Sequence, residues 1–369
     1  MQKVLQISAG LRQGGAEAMI MNIYEKIDKS KVQFDFLVYD DAPTHYTERI
    51  KQLGGNVIFL KREHKWNIVD YKKRFMKIVS EYGPYIAVHA HTDSHSALPL
   101  TVAKQCGIKV RICNSHTTKQ RENTSFIRKC YREIMRKQII KNATILAACG
   151  TEAGYALYGK AVFQDRGVII HNPIVINDYL CMTRNNSENG DCINIGCVGS
   201  FREAKNHAFI IKIAASLKKK GINFKMYFAG TGELENEIKK MAFDNNLLDN
   251  VIFLGLRRDI PNLMASFDLL LMPSLYEGFP VTLIESQACG LPALISDRIT
   301  SEVDLGMGLI ISRSLNDSID QWIESIFFCA KIESPDISLR KKTLLEKGYD
   351  TTSVINELYR LYGVDCNDK

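Results

Sequence analysis

The stretch DLLLMPSLYEGFPVTLIESQACGLPALIS, Asp268–Ser296, sets out a buried strand, an exit loop, a helix and a second buried strand. Leu269, Leu270 and Leu271 make a continuous apolar run ended by Pro273, which suits a strand covered on both faces. Pro280 fits the first turn of a helix, VTLIESQAC keeps a helical period, and Gly290 supplies the residue that ends it. A strand that returns to its own sheet through a helix must pair in parallel, so this one stretch predicts a parallel sheet covered by helices.

The same grammar runs outward in both directions. Towards the N-terminus KVLQISA, VQFDFLVY, NVIFL, YIAVHAH, KVRICNS and TILAAC read as strands, separated by helical patterns such as AEAMIMNIYEKI and ALPLTVAKQC. After HNPIVINDYL the pattern restarts with CINIGCVGS, FKMYFAG and VIFLG, and it closes with GLIIS after the opening stretch. The fold class expected is α/β, with two doubly wound domains able to face each other across a cleft. Pro173 interrupts any helix near Asn172–Leu180, where the linker should lie. Residues 1–175 would form the first domain and 176–350 the second, with a C-terminal helix over 351–369 able to return to the first.

Composition agrees with two globular domains: 369 residues, 46% hydrophobic and 24% charged. No uninterrupted apolar run approaches the ~18 residues needed to span a bilayer, and the start reads as strand and turn, so a cytoplasmic chain is expected. The ten cysteines are scattered without a C-x-x-C pair, which suits reduced thiols. Charge is uneven. Residues 1–175 carry 27 Lys+Arg against 15 Asp+Glu, the remainder 21 against 26. Much of the excess lies in TKQRENTSFIRKCYREIMRKQIIK, Thr118–Lys141, where Phe126, Ile127, Cys130, Tyr131, Ile134 and Met135 recur at helical spacing beside Arg128, Lys129, Arg132, Arg136 and Lys137. Two readings stand: a solvated helix packed on a core, and attraction to an anionic membrane surface or an acidic lipid-linked substrate. Nucleic acid is not expected, because no recognition motif accompanies the charge.

Doubly wound sheets bind ligands where strands end and helices begin. In the first half Gly14 and Gly15 sit between the first strand and first helix, without the G-x-G-x-x-G spacing of a dinucleotide site. They allow a tight turn, or the approach of backbone amides to a phosphate or sugar. In the second half Arg202 and Lys205 follow Gly199, where cations could neutralise a diphosphate. Gly230 and Gly232 form another close-approach turn, and LGLRRDIPNLM offers Asp259 and Pro261 to start a helix. Glu277 lies in the exit loop and Glu285 inside the helix. That separation suits two hydroxyl-rich groups of one extended ligand better than a metal clamp.

These residues resemble a known family, the retaining glycosyltransferases of family 4 with the GT-B fold, from GGAE at Gly14 through KNH at Lys205 to EGFPVTLIESQACGLP. The branch that builds bacterial exopolysaccharide and capsule looks closest. The resemblance implies that Glu277 contacts the donor sugar and that Gly278 and Phe279 offer amides nearby. It implies that Glu285 holds the ribose, Lys205 binds the diphosphate, and Gly15 approaches it from the other domain. Ser200, Gly230, Leu256, Arg257, Pro280, Val281 and Thr282 would line the donor site. His116 in CNSHTT resembles the family's active-site histidine. One departure stands out: the family usually has Gly-Arg where this chain has Gly199-Ser200, so either Ser200 or Arg202 takes over from the missing arginine.

The reaction so implied is transfer of a sugar from a nucleotide diphosphate donor, a UDP-sugar, to a polyprenyl diphosphate-linked sugar or glycan, with retention. It needs no cofactor and no metal. A peripheral enzyme at the inner face of the membrane, docked through helix 125–141, is expected. A nucleotide-sugar epimerase on the same fold and a silent sugar-binding module are alternatives. HAHTDSH also places His89, His91, Asp93 and His95 near the run found in metal-dependent hydrolases, although Ser94 spoils the spacing.

Overall fold

A computed structural model describes residues 1–11, 15–40, 42, 44–61, 67–118, 125–180 and 192–365. The chain forms two compact units, Met1–Pro173 with Gly348–Lys369, and Ile174–Lys347. Unit 1 holds strands β1 (Gln2–Ser8), β2 (Val32–Val38), β3 (Val57–Phe59), β4 (Ala87–Ala90), β5 (Val110–Ser115), β6 (Ile145–Ala148) and β7 (Gly167–Ile169). They pair in parallel in the order β3-β2-β1-β4-β5-β6-β7. Unit 2 holds β8 (Ile193–Val198), β9 (Phe224–Ala229), β10 (Val251–Gly255), β11 (Leu269–Met272), β12 (Ala293–Ser296) and β13 (Ile310–Arg313), in the order β10-β9-β8-β11-β12-β13. Each strand expected from sequence is present. β7 was not foreseen; its three residues are only half-buried and too short to give a period.

Both sheets are wound outward in two directions from a neighbouring pair, β1 with β4 and β8 with β11. At such a switch point the loops leaving the two strands diverge and open a crevice at the carboxyl ends. The central strands are buried because helices cover both faces: all seven residues of β2 and all four of β11 are buried. Asp35, inside β2, is tolerated because its carboxylate accepts from the Asn56 amide (2.9 Å), Asn56 Nδ2 (2.7 Å) and the Tyr85 hydroxyl (3.0 Å).

The last helix, Thr351–Tyr362, belongs to unit 1 although the whole of unit 2 precedes it in sequence. Asp350 caps it through the Ser353 amide, and Gly363 closes it in the left-handed conformation. Val354, Ile355, Leu358, Tyr359, Leu361 and Tyr362 enter the cluster formed by Val4, Met19, Ile20, Phe34 and Phe36. The Tyr359 hydroxyl also accepts from the Asp28 amide at 3.0 Å.

Helix Phe126–Asn142 departs from the reading of a helix packed on a core. Its buried residues are only Ile139 and Asn142, both in its last turn. Phe126 and Ile127 are each 79% exposed and Ile134 54%. Periodicity reveals an apolar face but not what covers it, and no described element covers the first half of this one. Residues 119–124 of the basic stretch lie outside the described residues, as does Gly14.

The buried face of the C-terminal helix gives a direct test. Leu358→Ala empties a fully packed site, so it should lower unfolding free energy by about 2–5 kcal/mol in chemical denaturation. A loss below about 0.5 kcal/mol would mean the helix does not pack as described.

Candidate active site

In unit 2 the loops leaving β8 and β11 are stitched together. The β8 loop passes Gly199 and makes a short 3-10 turn, Glu203–Lys205, before helix His207–Lys219. Asn206 sits between them in the left-handed conformation, and its Nδ2 donates to the Pro273 carbonyl at 3.1 Å. The Leu275 amide donates to the Ala204 carbonyl at 2.7 Å. Between these backbone ties, Lys205 Nζ lies 2.7 Å from Glu277 Oε1, with side chains 18% and 13% exposed. The Ser274 hydroxyl donates to the same oxygen at 2.7 Å. The pair is thus held at the switch point by two loops that no local pattern connects.

Two glycines let the neighbouring loops meet there. A Cβ on Gly230, whose φ is +150°, would fall 2.1 Å from the Gly199 carbonyl oxygen. The Lys205 stem lies across Gly199, 3.0 Å from where a Cβ would stand. Arg202 is exposed and heads the 3-10 turn; Ser200 accepts from its amide at 2.8 Å. Leu256 and Arg257 follow β10 at the surface, and Arg257 pairs with Asp259 at 2.5 Å. Asp259 precedes helix Ile260–Ala265 as expected, but its carboxylate goes to that arginine and does not cap the helix.

Pro280 stands at the N-cap of helix Val281–Cys289, with Val281 and Thr282 half-buried in the first turn. Gly278 and Phe279 complete the approach, Phe279 buried. Glu285, half-buried on this helix, accepts from the Tyr179 hydroxyl at 2.6 Å. Burial raises its carboxyl pKa, and the Tyr179 bond opposes that. Sequence reading treated Tyr179 as part of a linker; it belongs to the short helix Ile176–Leu180, and a lone tyrosine there gives no pattern to find it by.

Unit 1 gathers a second polar cluster. His116, after β5, lies with Nε2 2.9 Å from His91 Nδ1, and His91 Nε2 lies 2.9 Å from Gln6 Oε1. Gln6 Nε2 donates to the Tyr362 hydroxyl at 3.2 Å, which lies 2.9 Å from His89 Nδ1. Burial pushes the pKa of His116 down to about 4 and that of His89 to about 3. His91 is held well below its ordinary value by burial and by its two histidine neighbours. Asp93 adopts a φ of +43°; its carboxylate accepts from the His116 amide, Ser115 and Thr117. The hydrolase-like set of His89, His91, Asp93 and His95 is therefore not assembled around one point: the first three side chains are engaged in different directions. No group of three or more metal-ligating side chains occurs among the described residues. Beside this cluster a cavity of about 520 Å³ is lined by Thr92, Asp93, Thr117, Lys129, Arg132 and Arg136, among others. Gly15 begins helix Gly15–Lys26, and a Cβ there would meet no atom within 4 Å, so packing does not demand glycine.

Two parallel-sheet Rossmann-like units with polar loops at their strand ends define the GT-B class of glycosyltransferases. Among solved structures, Anabaena Alr3699/HepE in complex with UDP-glucose matches with a TM-score of 0.76 at 17% identity, over 98% of this chain and 100% of that one. WaaG, described as a glycosyltransferase involved in lipopolysaccharide biosynthesis, matches with a TM-score of 0.67 at 16% identity, over 99% and 100%. In sequence, a profile of the family described as "Glycosyl transferases group 1" matches residues 183–306. EpsF of Bacillus subtilis, named as a glycosyltransferase, is 39% identical over 371 residues, 98% of this chain and 97% of its own. An Escherichia coli UDP-Gal:alpha-D-GlcNAc-diphosphoundecaprenol alpha-1,3-galactosyltransferase is 38% identical over 104 residues, 26% of this chain and 25% of its own. The chain belongs to the group 1 glycosyltransferase family. The epimerase alternative finds no support in these comparisons.

Glu285 allows a test of the site's electrostatics. Its folded pKa lies above its unfolded value, so the folded state binds the proton more tightly, and ionisation costs stability as pH rises through that range. Glu285→Gln should raise the urea midpoint at pH 7, and the gain should vanish below about pH 4, under the ordinary glutamate pKa. A lower midpoint at pH 7 would reverse the assignment.

Proposed function

We propose that the chain is a retaining, metal-independent hexosyltransferase of bacterial exopolysaccharide or capsule synthesis, moving a sugar from a UDP-sugar to a polyprenyl diphosphate-linked acceptor. The observation that carries this reading is the Lys205–Glu277 pair, fixed where the β8 and β11 loops meet. Its chemistry suits a nucleotide sugar: an ammonium for the diphosphate beside a carboxylate for sugar hydroxyls. UDP and lipid-linked acceptors are supported by two relatives: the E. coli galactosyltransferase acts on a diphosphoundecaprenol sugar. So does a Campylobacter jejuni N-acetylgalactosaminyltransferase, 29% identical over 133 residues.

In this reading Lys205 and Arg202 neutralise the diphosphate, with Ser200, Gly230 and the start of helix Val281–Cys289 around it. Arg202 is the better substitute for the family's arginine, since it keeps an exposed guanidinium and Ser200 has no charge to offer. Glu277 orients the donor sugar with Gly278 and Phe279, and Glu285 receives the ribose hydroxyls while Tyr179 holds one of its oxygens. Leu256, Arg257, Pro280, Val281 and Thr282 line the nucleotide. The family resemblance gives His116 a role toward the sugar and Gly15 one toward the phosphates; Gly14, assigned with it, lies outside the described residues. The anomeric C–O bond to the diphosphate breaks as the acceptor oxygen bonds to the same face of the sugar, and a departing phosphate oxygen takes the acceptor proton. The protein supplies position and charge rather than a nucleophile.

Lys205→Ala should then raise the barrier to UDP-sugar turnover by about 2.7–4 kcal/mol, as when one oxyanion donor is lost. Glu277→Gln should lower kcat more than donor affinity, and Glu285→Gln should do the reverse. UDP release from a panel of UDP-sugars measures all three; wild-type rates in Lys205→Ala would end the reading of this pair.

The same reading places the enzyme at the inner face of the membrane. No helix among the described residues is long and apolar enough to cross a bilayer. Helix Phe126–Asn142 instead offers exposed Phe126, Ile127 and Ile134 beside Arg128, Lys129 and Arg132. Cations near an anionic leaflet contribute about 1 kcal/mol each, and the basic cavity next to the helix suits an acceptor diphosphate. Arg136 is better left alone, being paired with Glu133 at 2.7 Å. Liposome sedimentation should rise with anionic lipid and fall with salt. Changing Arg128, Lys129 and Arg132 together to Gln should abolish binding with little change in Tm, and undiminished binding would exclude this helix.

A further inference from the structure

We propose that Gln6, His91 and Tyr362 are positioning residues that hold His116 in a single tautomer, with the proton on Nε2 and Nδ1 left as a hydrogen-bond acceptor. The use of that tautomer rests on the reading of His116 as facing the donor sugar; the hydrogen-bond order itself does not.

The direction of the chain is set by one amide. Gln6 presents a donor to one neighbour and an acceptor to the other: Nε2 donates to the Tyr362 hydroxyl at 3.2 Å, and Oε1 faces His91 Nε2 at 2.9 Å. A carbonyl oxygen can only accept, so His91 carries its proton on Nε2. Neutral His91 then has a bare Nδ1. The 2.9 Å contact between that nitrogen and His116 Nε2 therefore requires His116 to be the donor. Neutral His116 is left with a lone pair on Nδ1, for which the described residues supply no partner. At the other end, the Tyr362 hydroxyl accepts from Gln6 and donates to His89 Nδ1 at 2.9 Å. Every donor in the series His116, His91, Gln6, Tyr362, His89 points the same way, the arrangement in which successive hydrogen bonds polarise and strengthen one another.

Protonation would break this order. A second proton on His91 would set N–H against N–H at His116. Gln6, His89 and His91 are all buried, at 2%, 1% and 7% exposure, and the His89 and His91 rings stand 4.2 Å apart. The chain ends in a cost: His89 Nε2, which must carry the proton, is buried with no partner. A buried donor left unsatisfied is destabilising, so stability alone gives no reason for the sequence to keep a tyrosine and a glutamine aligned through two histidines. An imidazole fixed in this state accepts from a sugar hydroxyl and cannot donate to an anionic oxygen. In the reading of His116 as the residue for the donor sugar, this tautomer favours a hydroxyl over an anionic oxygen.

Imidazole nitrogen shifts read the tautomer without any assay of activity. In ¹⁵N-labelled protein at pH 7, His116 is assigned by the signal lost in His116→Asn. It should show a protonated Nε2 and a bare Nδ1. Tyr362→Phe removes the hydroxyl that aligns Gln6, and Gln6→Met removes the amide while keeping its length. In both, the two His116 nitrogens should move towards averaged values. UDP-sugar turnover should fall about two- to tenfold, the loss of one ordinary hydrogen bond, with the donor KM changed less than about twofold. A proton on Nδ1 in the parent, or unchanged shifts in both variants, overturns the proposal, including the case where only Tm falls. If the shifts respond as expected but the parent turns over no UDP-sugar, the transferase reading fails and the hydrogen-bond order stands.

Discussion

The half-buried pair of Lys205 and Glu277 is the constraint around which unit 2 is organised. Removing both charges from most of their water is costly, and one 2.7 Å contact offsets that only if the groups cannot drift apart. The fold meets this condition with backbone rather than side chain. Asn206, in a conformation few residues adopt, reaches the Pro273 carbonyl, and Leu275 reaches that of Ala204, so two loops from neighbouring strands move as one. Gly199 and Gly230 allow the third loop to close against them. None of these ties would exist if β8 and β11 were not adjacent, and their adjacency is where the winding of the sheet reverses.

Unit 1 has the same sheet order at its centre and uses the position differently. Where unit 2 has an ion pair, unit 1 has neutral groups in series, with imidazoles kept uncharged by burial. The contrast follows from surroundings. Lys205 and Glu277 keep some contact with solvent, whereas Gln6, His89 and His91 have almost none, and in such a setting only uncharged hydrogen-bonding groups are inexpensive.

The parallel sheets were legible because strands buried on both faces leave an unmistakable mark, as in Leu269–Met272, and because helices of regular period separate them. β7 was not, being too short to carry a period. The exposed face of Phe126, Ile127 and Ile134 was half legible: the spacing is local information, but whether another element covers it depends on chain far away. The glutamates at 277 and 285 and Lys205 stood out by their setting, a charge among glycines or apolar residues. Tyr179, Ser274 and Tyr362 did not, since each matters through a partner 106, 3 or 273 residues off that no periodicity links to it. His89 and His91 were visible, but only as part of a run near that of metal-dependent hydrolases, and their actual partners were not. The tyrosine and glutamine that engage them come from opposite ends of the chain.

The return of helix Thr351–Tyr362 to unit 1 has a consequence for synthesis. Unit 2 is one continuous segment, while unit 1 is split around it, so the ribosome delivers most of unit 1 first and its last helix only after unit 2. At roughly 5–20 residues per second, about 10–35 s separate the two pieces. Through that interval the apolar groove that Leu358 and Tyr362 will fill stands open on the nascent chain, next to Met19, Ile20 and Phe34. Chaperones that shield hydrophobic surface have their longest opportunity on the first domain made, and it is the last to be finished.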